Sequence, residues 1–239
     1  MRSVVGRLPR PIQDPIRGWW LSAKRRRMEH EFVAAVAASS QDLRIHVGAG
    51  GNRLQGWLNT DIDGSAEFYL DATRPWPVPN GAAAFVFGDN FIEHLTLDEA
   101  RSFLAHARHA LRPGGVIRLA TPDAAKSAEA YIEGRDLLHD MLERHRRNGY
   151  RVEYSVDVLR IAFAESGHWR GYIYDQVALT TELSIAGFVE IQACEVGKST
   201  YPELIGLEAR SEPIENAIQL VIEGTVPRPA RLGPVLADA

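Results

Sequence analysis

The run Leu-Arg-Ile-His-Val over residues 43–47 reads as a buried strand and passes without a break into Gly48-Ala49-Gly50-Gly51. No other feature restricts the fold as much. Glycines at the end of a strand let the backbone take left-handed dihedrals and come close to a ligand, which is the device of nucleotide-cofactor folds. Further strands are expected at residues 57–61, 67–71 and 84–87, and each ends near an acid, at Asp61, Asp71 and Asp89. Strands that alternate with helices predict an α/β chain with an open, mostly parallel sheet, helices on both faces, and a ligand at the carboxyl ends of the strands.

The clearest helix begins at Thr96-Leu97-Asp98-Glu99, a capping box, with Ala100, Phe103, Leu104, Ala107 and Leu111 on one face. Arg112-Pro113-Gly114-Gly115 stops it, and residues 116–120 form the next strand. Asp123 follows as a turn former. Residues 124–169 are helical and charged, with Leu137, Leu138, Met141 and Leu142 as the apolar stripe of an insertion. Residues 175–186 make a last core helix that ends at Gly187, strands follow at 188–193 and 205–209, and a terminal helix covers 214–223. The short link between those two strands leaves no room for a helical crossover, so they are expected to form an antiparallel hairpin at the sheet edge.

The spacing of glycines and acids separates two cofactor classes. In a dinucleotide site the ribose acid lies about 20 residues beyond the glycines, and a helix between them seats the pyrophosphate. Asp61 follows Gly48 by only thirteen positions, and Gly51-Asn52-Arg53-Leu54-Gln55-Gly56 is too short and glycine-rich for that helix. A cationic sulfonium cofactor without phosphate suits a rim of Asp61, Asp71, Asp89 and Glu93 better.

Those residues belong to stretches that together resemble a known family. IHVGAGGNRLQGWLNTDID, DNFIEHL, ALRPGGVIRLATPD, GHWRGYIYD, AGF and YPELIGLEAR, in that order over about residues 43–210, resemble class I S-adenosylmethionine-dependent methyltransferases, and within them a bacterial group of predicted methyltransferases. The resemblance implies a Rossmann-like three-layer sandwich with a mostly parallel seven-stranded sheet and an antiparallel edge hairpin. It implies that Gly48, Ala49 and Gly50 approach the methionine part of S-adenosylmethionine, with Asp61 and Ile62 at the ribose. Asp71 and Ala72 would then lie near the adenine, and Asp89 and Asn90 beside the cofactor where the acceptor enters. The expected organisation is a basic helical arm over 1–41, the cofactor-binding domain over 42–212 with its insertion at about 124–170, and a C-terminal helix and tail over 213–239.

The family carries no shared catalytic base. Methyl transfer is an in-line displacement in which positioning supplies much of the acceleration, and a base is needed only for an acceptor hydroxyl. His94 and His168 are the expected catalytic residues, since a neutral imidazole is well matched to that task at neutral pH. His46, between apolar neighbours on a strand, is expected to pack against a helix. His106, His109, His139 and His145 lack a convincing metal spacing, so no metal is expected.

At 239 residues the chain suits one domain. A net charge of -4 argues against nucleic acid as a partner, and the single Cys194 excludes an intramolecular disulfide. The absence of a spanning segment and of a signal-like N-terminus gives a cytoplasmic expectation. The arm is the exception in charge, with Arg2, Arg7, Arg10, Arg17 and Lys24-Arg25-Arg26-Arg27 beside Trp19-Trp20-Leu21. It is expected either as a solvated helix face packed on the domain or as a contact with an anionic membrane surface, a lid or a homodimer partner. The acceptor is expected to be a small or sugar-like molecule, methylated on oxygen. The rivals are a nicotinamide-dependent oxidoreductase and a domain that binds the cofactor or a partner without transferring methyl groups.

Overall fold

The computed structural model describes residues 15–39, 42–165 and 167–229, and of residues 15–21 the backbone alone. Seven strands form one sheet: β1 (Leu43–Val47), β2 (Leu58–Asp61), β3 (Phe68–Tyr69), β4 (Ala83–Asp89), β5 (Leu111–Pro122), β6 (Val189–Cys194) and β7 (Gln219–Thr225). Their order across the sheet is β3-β2-β1-β4-β5-β7-β6. The first five run parallel, with Ile45 opposite Leu58 and Val86 in register, and β7 runs antiparallel to both β5 and β6. The order reverses between β1 and β4, which places a ligand crevice where their carboxyl ends diverge.

One face of the sheet is covered by α1 (Pro15–Ala38), α2 (Leu97–Ala110) and α6 (Gln176–Ile185). Phe32 and Val36 of α1, Phe103, Leu104 and Ala107 of α2, and Leu179 and Leu183 of α6 share a core with Leu43, Ile45, Val86, Ile117, Leu119, Leu220 and Ile222. The capping box of α2 is formed as the sequence predicts, with Glu99 Oε2 accepting from the Thr96 amide at 2.9 Å and Thr96 Oγ1 accepting from the Glu99 amide at 3.3 Å. Gly187, at φ +87°, follows α6 in the left-handed conformation expected of it.

The opposite face is covered by irregular chain and a short 3₁₀ turn at Pro202–Leu204. Trp57, Phe85, Phe87, Val116 and Leu204 form its apolar part, joined by Leu54, Tyr201 and Leu207. The middle of this layer is charged. Arg118 of β5 is fully buried, and its guanidinium donates to Glu208 through Nε at 3.0 Å and Nη2 at 2.6 Å, and to Glu223 of β7 through Nη1. Glu208 also accepts from the Gly197 amide and Glu223 from the Ser199 hydroxyl at 2.7 Å, so the triad ties residues 195–210 beneath the sheet.

Two expectations are corrected here. Residues 205–209 are not a strand, because Leu204 and Leu207 are drawn into the apolar cluster and Glu208 into the ion triad. The helix expected over 214–223 is only α7 (Pro213–Ala217), after which the chain becomes β7. All seven residues of β7 are buried between two neighbouring strands. With Leu220 and Ile222 in the core under the helices and Glu223 in the ion triad on the other face, the strand lacks the simple polar alternation that marks a half-exposed strand in a sequence. The edge antiparallel pair is therefore β6 with β7.

The insertion holds α3 (Ala124–Glu133), α4 (Asp136–Arg147) and α5 (Asp157–Ala164), packed together through Ala130, Leu138, Met141, Leu142 and Val158. Asp123 caps α3 by accepting from the Ala125 amide at 3.0 Å. In the arm, α1 lies against β3: Phe32 and Phe68 rings are 5.8 Å apart, Lys24 Nζ donates to the Gly64 carbonyl at 3.0 Å, and the Arg25 guanidinium sits 5.6 Å from the Tyr69 ring centre. Arg2, Arg7 and Arg10 and the side chains of Arg17, Trp19, Trp20 and Leu21 lie outside the described residues. Among the described residues no helix is long and apolar enough to cross a membrane.

Candidate active site

The residues expected to hold a cofactor all fall at the carboxyl edge of β1 to β4. Gly48 and Gly50 adopt φ of +69° and +51°, a region costly for residues with a Cβ. They serve different purposes. A Cβ on Gly48 would meet the Phe91 ring at 2.4 Å, so this glycine lets Phe91 close over the turn and stack edge-on against Phe103. A Cβ on Gly50 or Gly51 would meet nothing within 4 Å, so their backbone faces open space. The Gly50 amide donates to Asp61 Oδ2 at 2.9 Å, and Asp61 Oδ1 accepts from the Asp63 amide at 2.9 Å. Turn and acid are thus one unit, with Ala49 buried inside it and Ile62 exposed beside it.

Asp71 accepts from the Thr73 amide at 3.1 Å and hydroxyl at 2.7 Å and pairs with Arg74 at 3.1 Å, while Ala72 is buried and gives its carbonyl to Trp76 Nε1. Asp89 is paired with Arg210. Its Oδ2 accepts from Arg210 Nη2 at 2.5 Å, its Oδ1 is buried without a partner, and burial raises its pKa against the pull of Arg210. Asn90 carries the turn after β4 at φ +48°, its amide donating to the Ala120 carbonyl at 2.9 Å. Among the described residues no Lys or Arg pairs with Asp61, whose carboxylate accepts from the Gly50 and Asp63 amides.

His94 and His168 come together as one site although 74 positions separate them in the chain: their ring centres are 4.9 Å apart. Two short 3₁₀ turns do this, Ile92–His94 after β4 and His168–Arg170 at the end of the insertion. The Tyr172 amide donates to the Leu95 carbonyl at 2.8 Å, and Gly171 packs so tightly that a Cβ there would fall 1.7 Å from the Glu93 carbonyl oxygen. His168 Nδ1 faces the Ala162 carbonyl at 2.7 Å, so the ring donates there and Nε2 carries the lone pair. That nitrogen stands 3.9 Å from Glu93 Oε1. Glu93 is almost wholly buried, takes the Thr121 hydroxyl at 3.1 Å on Oε2, and has its pKa pushed up to about 8, chiefly by burial.

Glu93, His94 and His168 line a cavity of about 240 Å³ roofed by the insertion, whose far wall carries Arg144 and His145. His145 is buried with both ring nitrogens unpartnered, and burial, aided by Arg144 and Arg160, pushes its pKa down to about 4. Between about pH 6.5 and pH 4 the unfolded chain takes up a proton at this ring that the folded chain refuses, so His145 lowers stability as pH falls through that window. The difference in urea-unfolding free energy between wild type and His145→Phe should therefore shift in favour of the variant across that range. A pH-independent difference would contradict it.

His46 is buried as expected, but on the face without helices, 5.1 Å from the Phe87 ring centre and 3.2 Å from Asn59 Oδ1. Arg118, Glu208, Arg210 and Glu223 stand in no local motif that assigns them a role, and Glu93 stands in none beyond the acidic rim. An arginine inside the apolar strand Val116-Ile117-Arg118-Leu119-Ala120 was the available signal, because such a charge has to be paired when buried.

No family model matches the chain, and no curated protein matches it. Among solved structures it is similar to the CurJ carbon methyltransferase, at 15% identity over 79% of this chain and 49% of that one, with a TM-score of 0.47. A phosphoethanolamine N-methyltransferase 2 from Haemonchus contortus is 11% identical over 83% of this chain and 53% of its own, with a TM-score of 0.47. An O-methyltransferase family protein from Burkholderia thailandensis is 13% identical over 87% and 59%, with a TM-score of 0.44. The chain spans about half the length of the first two. Likenesses this distant carry no argument about chemistry, which rests on the sheet and its residues.

Proposed function

We propose that this chain is an S-adenosylmethionine-dependent methyltransferase that methylates an oxygen of a small polar or sugar-like acceptor. The observation that carries the reading is the Gly50–Asp61 unit at the switch point of a sheet ordered β3-β2-β1-β4-β5-β7-β6, with irregular chain instead of a helix between Gly51 and Leu58. A dinucleotide would find no helix N-terminus there for its pyrophosphate. S-adenosylmethionine needs none, and its fit is supported by the open space before Gly50 and Gly51 and by Asp61, whose carboxylate has lone pairs to spare for ribose hydroxyls.

The bound cofactor supplies an electrophilic methyl group. The protein's part is to hold the cofactor along Gly48 to Asp61, to keep the acceptor in the cavity under the insertion, and to make its oxygen nucleophilic with His94 and His168. The Phe91 ring packs over Gly48, and the 167–172 segment docks on the backbone of Leu95.

S-adenosylhomocysteine should bind with measurable heat and raise the melting temperature by mass action. Asp61→Ala should weaken it by about 10- to 150-fold, the equivalent of roughly 1.5–3 kcal/mol for hydrogen bonds to a charged acceptor. Calorimetry checks both. No heat at millimolar S-adenosylhomocysteine, with heat from NADH, would replace this reading by the oxidoreductase one.

A further inference from the structure

Glu93, His94 and His168 each offer a ligand atom, and the three atoms lie within 4.8 Å of one another. We propose that they bind one divalent first-row transition cation of the zinc or iron class at the inner end of the acceptor cavity. Two imidazoles and one carboxylate are the donor set such ions favour, whereas magnesium and calcium take oxygen-rich sites.

His168 is oriented as a ligating histidine is: its Nδ1 proton goes to a backbone carbonyl, which fixes the tautomer and turns Nε2 toward Glu93. The 3.9 Å between Nε2 and Glu93 Oε1 is too long for a hydrogen bond and near the separation of about 3.4 Å between two ligands of a tetrahedral ion at about 2.1 Å. Glu93 gives an independent pointer. Its side chain is 2% exposed, Thr121 satisfies Oε2, and Oε1 has no partner. A buried carboxylate oxygen without a donor is costly, and a cation at this point satisfies it. The exposed His94 completes the set, with the backbone of Asn90 and Gly167 beside its ring.

Three protein ligands leave a coordination position open, and all three line the same cavity. What the ion does there rests on the methyltransferase reading: an acceptor hydroxyl bound to it becomes more acidic and releases its proton to water. The oxygen electron pair then forms the bond to the methyl carbon, and the pair of the broken S–C bond stays on sulfur, giving S-adenosylhomocysteine.

Cation binding is tested without activity. The full chain is stripped with chelator and titrated with Zn²⁺ by calorimetry and with Co²⁺ by visible absorption. One equivalent should bind, with the d–d bands of a four- or five-coordinate cobalt. Glu93→Gln, which keeps an acceptor for Thr121, and His168→Gln should each weaken Zn²⁺ by more than about 10-fold. Should either variant misfold, the wild-type Co²⁺ protein still decides, since coordinated histidines give hyperfine-shifted exchangeable N–H resonances. Substoichiometric cation, absence of shifted resonances, or affinity and spectrum unchanged in both variants would overturn the proposal. S-adenosylhomocysteine calorimetry on the same samples separates the two readings: cation without S-adenosylhomocysteine supports the ion site and removes the methyltransferase, and S-adenosylhomocysteine without cation removes the ion site alone.

Discussion

His168→Ala is expected to lower kcat for methyl transfer by roughly 10²- to 10⁴-fold while S-adenosylhomocysteine affinity stays nearly unchanged. The split follows from geometry. The cofactor contacts proposed here run along Gly48, Gly50, Asp61 and Asp71, whereas His168 arrives from the insertion and meets His94 and Glu93 on the acceptor side. In either proposed role, on the hydroxyl itself or through an ion it holds, the alanine variant removes the group proposed to make the oxygen nucleophilic. His94→Ala should behave alike. A merely structural role, holding Ala162 and the 167–172 segment, would lower melting temperature and raise acceptor KM with kcat retained. Steady-state kinetics of both variants over pH 5 to 9 make the distinction, and wild-type kcat in the two would remove them from the chemistry. An acceptor already ionised, such as a carboxylate, would confine the effect to KM.

The second large effect concerns the fold. Arg118→Leu should destabilise the protein by about 3–5 kcal/mol, because it leaves Glu208 and Glu223 buried without their cation. In a domain of this size that corresponds to a fall in melting temperature of roughly 6–20 °C. The loss should reach the crevice as well, since Glu208 lies two residues from Arg210, the partner of Asp89, and Asp89 ends the strand next to Glu93. Replacing all three members by apolar residues of similar volume should recover most of the loss, as buried ion pairs gain little over good apolar packing. Urea unfolding of Arg118→Leu and of the triple variant tests both statements. A single variant within about 1 kcal/mol of wild type would mean that the triad is solvated in solution.

Local pattern was enough for what depends on neighbours in the chain. The Thr96–Glu99 capping box and the glycine after α6 are made by residues within a few positions of each other, and the sequence located them; Asp123, read there as a turn former, caps α3. The alternation of apolar runs and turns likewise placed β1 to β5 and brought Gly48, Gly50, Asp61, Asp71 and Asn90 to one edge, because in a parallel sheet every strand points its carboxyl end the same way.

Tertiary structure decided the rest, and in each case the deciding partner was remote. Residues 219–223, expected as the end of a helix over 214–223, belong instead to a strand that pairs with β5 and β6 at its edges and has Leu220 and Ile222 in the core on one face and Glu223 in the ion triad on the other. Asp89, expected beside the cofactor, is paired with Arg210, which the chain brings to it from 121 positions away. His94, His168 and Glu93 form one cluster only because a glycine at 171 lets the end of the insertion rest on the Glu93 backbone. Composition and periodicity report which residues will be buried and in what local form; which buried charges and rings face each other is set by how the finished sheet folds distant segments over its edge.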